Sequence, residues 1–166
     1  MMDRQANSHP AAHGGTSVER KSERELVVTR TFDAKPHTVF KAWSEPEIFR
    51  RWWVPEGFGI TLIGCEMDVR TGGTYRLVFA AGETDTMAFH GKYLEVVPDR
   101  KIVWTNEEEA ECAVTTVTFE EQGGKTLLTF HELYPSKEAL DEAMQGSAAG
   151  LPAQLEQLAA LLADIG

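Results

Sequence analysis

Residues 60–81 read ITLIGCEMDVRTGGTYRLVFAA. Two runs with a period of two flank the link RTGG. That period puts successive side chains on opposite faces of a strand. Gly72 and Gly73 supply the backbone freedom of a tight turn, so the stretch predicts two antiparallel strands. Tyr75, Leu77 and Phe79 form one face and Arg76 lies on the other. Cys65 and Met67 alternate with Glu66 and Asp68 and are expected to face inward. The same period continues through DTMAFHGKYLEVV, KIVWTNEE, CAVTTVTFEE and KTLLTFHEL, with turn-forming links such as PDR and QGG. Strands joined by short links with no helix between them form an antiparallel meander.

Upstream, ERELVVTRTFD is rich in β-branched residues and predicts a strand ending near Phe32. In AKPHTVFKAWSEPEIFRRWW, Pro36 suits a first helical turn, and Val39, Phe40 and Trp43 recur at helical spacing. Ser44, with Glu47 three residues on, predicts a capping box opening a second short helix, which Pro55 stops. Downstream, Ser136 is placed to cap KEALDEAMQ. Pro152 falls near the start of PAQLEQLAALLADI, where Leu151, Leu155, Leu158 and Leu162 make an apolar stripe. Residues 1–23 lack periodic hydrophobics and read as a flexible tail. His9 and His13 suit a metal only on a helix, which Pro10 and Gly14 disfavour. Residues 24–166 form one expected domain. Its seven-stranded sheet has one apolar face, and the C-terminal helix is the available cover.

The totals exclude several classes. The chain has 166 residues and a net charge of -10, with no dense basic patch for nucleic acid or an anionic membrane. No apolar run approaches the roughly 18 residues of a membrane span, and no secretory signal is recognisable, so the cytoplasm is the expected location. Cys65 and Cys112 fall in apolar strands and read as buried reduced thiols. No nucleotide-binding, metalloprotease or nucleophile-elbow motif occurs, and no spacing converges three metal ligands. No metal or cofactor is therefore expected.

The segments VTRTFDAKPHTVFKAWSEPEIFRRWWVPEGF, EMDVRTGGTYRLVF and FHGKYLEVVPDRKIVWT occur in this order. Together they resemble the family related to the C-terminal domain of the activator of the heat-shock-protein-90 ATPase, within the START-related and birch-pollen-allergen (SRPBCC) superfamily. The resemblance covers roughly residues 25–163. It implies an α+β helix-grip fold, in which a seven-stranded curved antiparallel sheet wraps a long C-terminal helix, with two short helices after the first strand. It also implies a W-W pair at the mouth of a cavity. The superfamily includes carriers of hydrophobic ligands, polyketide cyclases and subunits of hydroxylating enzymes.

Candidate ligand-binding residues follow from both readings. Trp52 and Trp53 are adjacent, so at most one sits squarely in the core, and the other is more core, a pocket wall or a partner surface. Phe58 follows them. Met67, Tyr75, Leu77, Phe79, Phe89, Tyr93 and Trp104 are expected from the sheet, and Leu151 and Leu155 from the helix, with Gly146 and Gly150 sparing room near its start. Met87, Phe89, Gly91, Tyr93 and Glu95 share one strand face, and turning its aromatics inward brings Glu95 toward the cavity. Glu95 and His131 are the weak catalytic candidates, with Asp68 a further acid–base group. The favoured expectation is a carrier or sensor of a small apolar molecule. The alternatives are a cyclase- or hydrolase-like enzyme using the same cavity, and a chaperone-associated protein. Monomer and homodimer are both left open.

Overall fold

In a computed structural model, described for residues 11–13, 16–54, 57, 59–107, 113–145 and 150–165, nine strands form one antiparallel sheet. The strands are β1 (Ala11–His13), β2 (Thr16–Arg20), β3 (Glu25–Phe32), β4 (Ile60–Met67), β5 (Thr74–Ala81), β6 (Asp85–Val97), β7 (Lys101–Asn106), β8 (Ala113–Gln122) and β9 (Lys125–Leu133). The helices are α1 (Pro36–Ser44), α2 (Pro46–Phe49), α3 (Lys137–Gln145) and α4 (Leu151–Ile165). The order across the sheet is β1-β2-β3-β9-β8-β7-β6-β5-β4. Only the β3–β9 junction joins strands distant in sequence, and Val28 there lies opposite Phe130. This is the α+β helix-grip architecture, with the meander β4–β9 where the alternation puts it.

Two strands exceed the seven expected. Residues 16–20, read from the sequence as part of the tail, pair with β3 from Ser17 opposite Thr29 to Arg20 opposite Leu26. The strand carries no apolar alternation. It is held by backbone pairing and by Thr16, whose buried hydroxyl donates to Glu156 Oε2 of α4 at 2.8 Å. Arg30 of β3 reaches the same carboxylate. Its Nη2 donates to Oε1 at 3.1 Å, and its Nε lies 3.0 Å from Oε2, off the line of a hydrogen bond.

The expected capping box does not form. Ser44 is the last residue of α1, and α2 is capped at Glu45 with no side-chain bond. Pro46 has no N–H and occupies the first helical position, which shifts the boundary by one residue. α2 ends at Phe49, and Pro55 lies outside the described residues. Ser136 does cap α3, accepting from the Ala139 N–H at 3.1 Å.

Leu151, Leu155, Leu158 and Leu162 of α4 are buried in one core cluster with Leu26, Val28, Phe32, Leu128 and Phe130 of the sheet. On one flank of that stripe, Gln157 Nε2 donates to the carbonyls of Trp52 (2.9 Å) and Val54 (2.8 Å), and Gln154 donates to the carbonyl of Trp53. Glu156 lies on the other flank. Replacing Glu156 with alanine strands the Thr16 hydroxyl and the Arg30 guanidinium. We expect a loss of about 1–3 kcal/mol of stability in denaturant titration, with faster hydrogen exchange in β2 than in β8.

Candidate functional site

The inner face of the sheet is read from register. Tyr93 lies opposite Trp104, Trp104 opposite Thr115, Thr115 opposite Glu132, and Glu132 opposite Leu26. This rung crosses five strands and carries two aromatic rings, a hydroxyl and a carboxyl on the side that faces the helices. Adjacent strands are about 4.8 Å apart, so Trp104 and Glu132 are separated by roughly 10 Å across Thr115.

A chain of hydrogen bonds runs along this end of the face. The Tyr75 hydroxyl donates to the Thr105 carbonyl at 2.7 Å and approaches Asn106 Oδ1 at 3.4 Å. Asn106 Nδ2 donates to Thr115 Oγ1 at 3.2 Å. The Thr115 hydroxyl donates to Glu132 Oε2 at 2.8 Å, and the Tyr134 hydroxyl donates to Oε1. Gly91 makes the first step possible. A Cβ at that position would lie 1.9 Å from the Thr105 carbonyl oxygen and 2.8 Å from the Tyr75 hydroxyl.

Glu132 is half-buried, with both carboxyl oxygens hydrogen-bonded. Burial raises its pKa above the carboxylate range, outweighing the hydrogen bonds from Tyr134 and Thr115 and the nearby His131 ring. No Lys or Arg among the described residues forms an ion pair with it. Burial likewise raises the Tyr134 phenol, assisted by Glu132, and the Tyr93 phenol.

The acid–base residues expected from the sequence lie elsewhere. A bulge between Tyr93 and Glu95 inserts one residue opposite β7, and an inserted residue reverses the parity that follows. Tyr93 therefore faces in, while Glu95 is exposed and pairs with Lys101 at 3.1 Å. His131 is on the outer face, opposite Val27 and Thr116, and bonds Glu25 Oε1 at 2.9 Å. That bond is the main reason the Glu25 pKa is lowered. Asp68 pairs with Arg70 at 2.9 Å on the exposed turn closed by Gly72 and Gly73. His90 is separated from His131 by β7 and β8, so the two do not approach. Glu132 was legible by parity, since it follows Leu128 and Phe130 at intervals of two.

Trp52 is fully buried and donates from its indole to the Ala42 carbonyl at 2.9 Å. Trp53 is half-buried, stacked on Phe49 at 4.7 Å and edge-on to Trp43 at 5.9 Å. Tyr75, Leu77, Phe79, Tyr93, Leu151 and Leu155 are buried. Met67, Phe89 and Trp104 pack on the core yet stay partly exposed, so this half of the interior is open to solvent at its rim. Phe58, Gly146 and Cys112 lie outside the described residues. Cys65 is a free, half-buried thiol whose pKa is raised by burial, contrary to what an activated nucleophile requires. Trp43 Nε1 is buried and has no acceptor among the described residues. Its ring lies 6.0 Å from Trp104 and 6.1 Å from Phe130. Among the described residues no cluster of three His, Cys, Asp or Glu could hold a metal ion, and no helix is long and apolar enough to cross a membrane.

An antiparallel sheet gripping a C-terminal helix defines a helix-grip protein of the SRPBCC type. The sequence matches the family described as Activator of Hsp90 ATPase homolog 1-like protein over residues 33–163, and the chain belongs to that family. Its structure is similar to that of a protein from Rhodobacter sphaeroides, with a TM-score of 0.82 and 21% identity over 91% of this chain and 99% of that one. It is also similar to protein NE0264 from Nitrosomonas europaea, with a TM-score of 0.79 and 19% identity over 89% of this chain and 99% of that one. Protein CV1439 from Chromobacterium violaceum is 29% identical, with a TM-score of 0.71 over 82% of this chain and 96% of that one. No curated protein matches the sequence significantly.

The Glu132 environment sets a sign for pH dependence. The folded chain holds this proton at pH values where the unfolded chain, with an ordinary carboxyl near 4.5, has released it. Stability from this group is therefore present below that value and lost as pH rises through the folded-state pKa. Glu132→Gln carries no titrating proton. Its melting temperature should exceed that of the parent at neutral pH, and the gap should shrink toward acid. A gap that does not change with pH would contradict the assignment. Gly91→Ala should cost about 3 kcal/mol or more, read by thermal melting, because the added methyl meets backbone rather than a movable side chain.

Proposed function

We propose that this protein binds a small, mainly apolar molecule between the β4–β7 half of the sheet and the helices, as a carrier or sensor. The observation that supports this reading most directly is the partial exposure of inward-facing Met67, Phe89 and Trp104. These residues face the interior, pack on the core and still meet solvent, whereas Leu128 and Phe130 of β9 and Val117 of β8 do not. The ligand wall is assigned to Trp53, Met67, Phe89, Tyr93 and Trp104, with Trp52, Leu77, Phe79, Leu151 and Leu155 behind it as packing. The cytoplasm is the proposed location.

Apolar contact alone gives weak binding. A ligand hiding about 300 Å² of apolar surface gains on the order of 7 kcal/mol, at about 25 cal/mol per Å². Association costs at least about 4 kcal/mol. The remaining ~3 kcal/mol corresponds to binding weaker than millimolar. Useful affinity needs a polar anchor, and the Glu132 network is the polar group on this face.

Glu132 also favours a second reading, an enzyme of the cyclase or hydrolase kind using the same groove, since an enclosed carboxyl with a raised pKa suits a general acid. The family description favours a third, stimulation of a chaperone ATPase. Mixing the protein with its cognate chaperone and measuring ATP turnover tests that reading directly.

Native mass spectrometry of freshly purified protein, followed by organic extraction, tests the binding reading. A reproducible adduct of small-molecule mass is expected. Trp104→Ala should lose that adduct or weaken binding of the extracted compound by about tenfold, the scale of one aromatic contact. Unchanged affinity in the variant would remove Trp104 from the wall.

A further inference from the structure

The polar end of the groove has a directional property. Thr115 and Tyr134 both donate O–H bonds to Glu132, and Asn106 donates in turn to Thr115. Neutral donors are thus already supplied to both carboxyl oxygens. What the described residues do not supply is positive charge in an ion pair with Glu132. A carboxylate taken from water into an enclosed site is stable as an ion only when a cation meets it there. Each carboxyl oxygen accepts two hydrogen bonds, so each retains one acceptor position. On the same rung, Trp104 and Tyr93 present aromatic rings that an apolar body can cover. The buried Trp43 indole N–H, without an acceptor among the described residues, is a second unmatched polar position in the same aromatic enclosure. An interior built for pure hydrocarbon needs neither group.

Resting on the binding reading above, we propose that the ligand is an organic amine, a primary or secondary nitrogen on an aromatic or alicyclic body, and that Glu132 is its anchor. On binding, Glu132 gives up its proton to solvent and the ammonium takes the free acceptor positions of the carboxylate, while the apolar body lies over Thr115 toward Trp104, about 10 Å away, two strand spacings. A carboxylic acid of the same shape is disfavoured, because its own carboxylate would leave water for a site with no cation to meet it. A neutral alcohol fits the aromatic wall but leaves the carboxyl without a counter-charge.

Three matched probes test this by isothermal titration calorimetry: naphthylmethylamine, naphthylmethanol and naphthoate. The wild-type protein is expected to bind the amine about tenfold or more tightly than the alcohol, the scale of a charge-assisted hydrogen bond, with naphthoate weakest. In Glu132→Gln, which keeps the shape and one acceptor oxygen while an NH2 donor replaces the other, the amine should lose its advantage over the alcohol. Equal affinity for amine and alcohol in the wild type overturns the anchor and leaves the groove standing. So does an amine preference that survives in Glu132→Gln. Failure of all three probes to bind overturns the anchor, and failure of native mass spectrometry to find any adduct then removes the groove as well. The wild-type comparison needs no variant, so a folding defect in Glu132→Gln does not shield the assignment.

Discussion

The placement of α4 is the constraint on which the interior depends. Its leucine stripe supplies the apolar contact, but such a stripe is tolerant of sliding and rotation. The polar residues on its two flanks are not. Glu156 is tied to Thr16 and Arg30 at one edge of the sheet, and Gln154 and Gln157 are tied to the carbonyls of Trp52, Trp53 and Val54 on the other side. Directional bonds at both flanks set the rotation of the helix about its own axis. They also hold it toward β2 and β3. The inner face of the β4–β7 half is left with aromatic side chains that pack on the core without being sealed by it.

The tryptophan pair follows from the same constraint. Adjacent residues cannot point the same way, and the two glutamines grip the backbone of both tryptophans rather than their rings. Trp52 is turned into the core, where its indole finds the Ala42 carbonyl. Trp53 is left with Phe49 on one face and Trp43 at its edge. A backbone held this firmly fixes a rim residue without burying it.

Much of the fold was legible because burial and strand period agree over long runs. Tyr75, Leu77 and Phe79 alternate with Arg76 and lie inward without exception. What was not legible shares one cause: a local change that periodicity cannot register. The bulge after Tyr93 reverses parity within a continuous apolar run and sends Glu95 outward. Pro46 moves a cap from a good capping residue to a poor one. β2 has no apolar pattern, because its stability comes from pairing with β3 and from a buried threonine bonded to a helix more than a hundred residues away. Glu132 is the opposite case. Its parity is plain, but a glutamate in phase with leucine and phenylalanine conflicts with the habit that acids stay out of cores.

That conflict carries the functional weight. A sequence that specifies one fold has its local choices in agreement with burial, and the exceptions concentrate where function opposes stability. Thr115 and Tyr134 donate to one carboxyl, Asn106 and Tyr75 extend the chain behind Thr115, and a Cβ at Gly91 would collide with the Tyr75 hydroxyl. Five positions are thus constrained around a group that folding alone would replace with leucine or methionine. Their hydrogen bonds meet both Glu132 oxygens but supply no cation, so burial favours the protonated form. A purely structural network would close on itself, with each polar atom matched by the chain. This one ends in a carboxyl that burial keeps protonated for want of a cation, which is the arrangement expected when the missing partner arrives from outside.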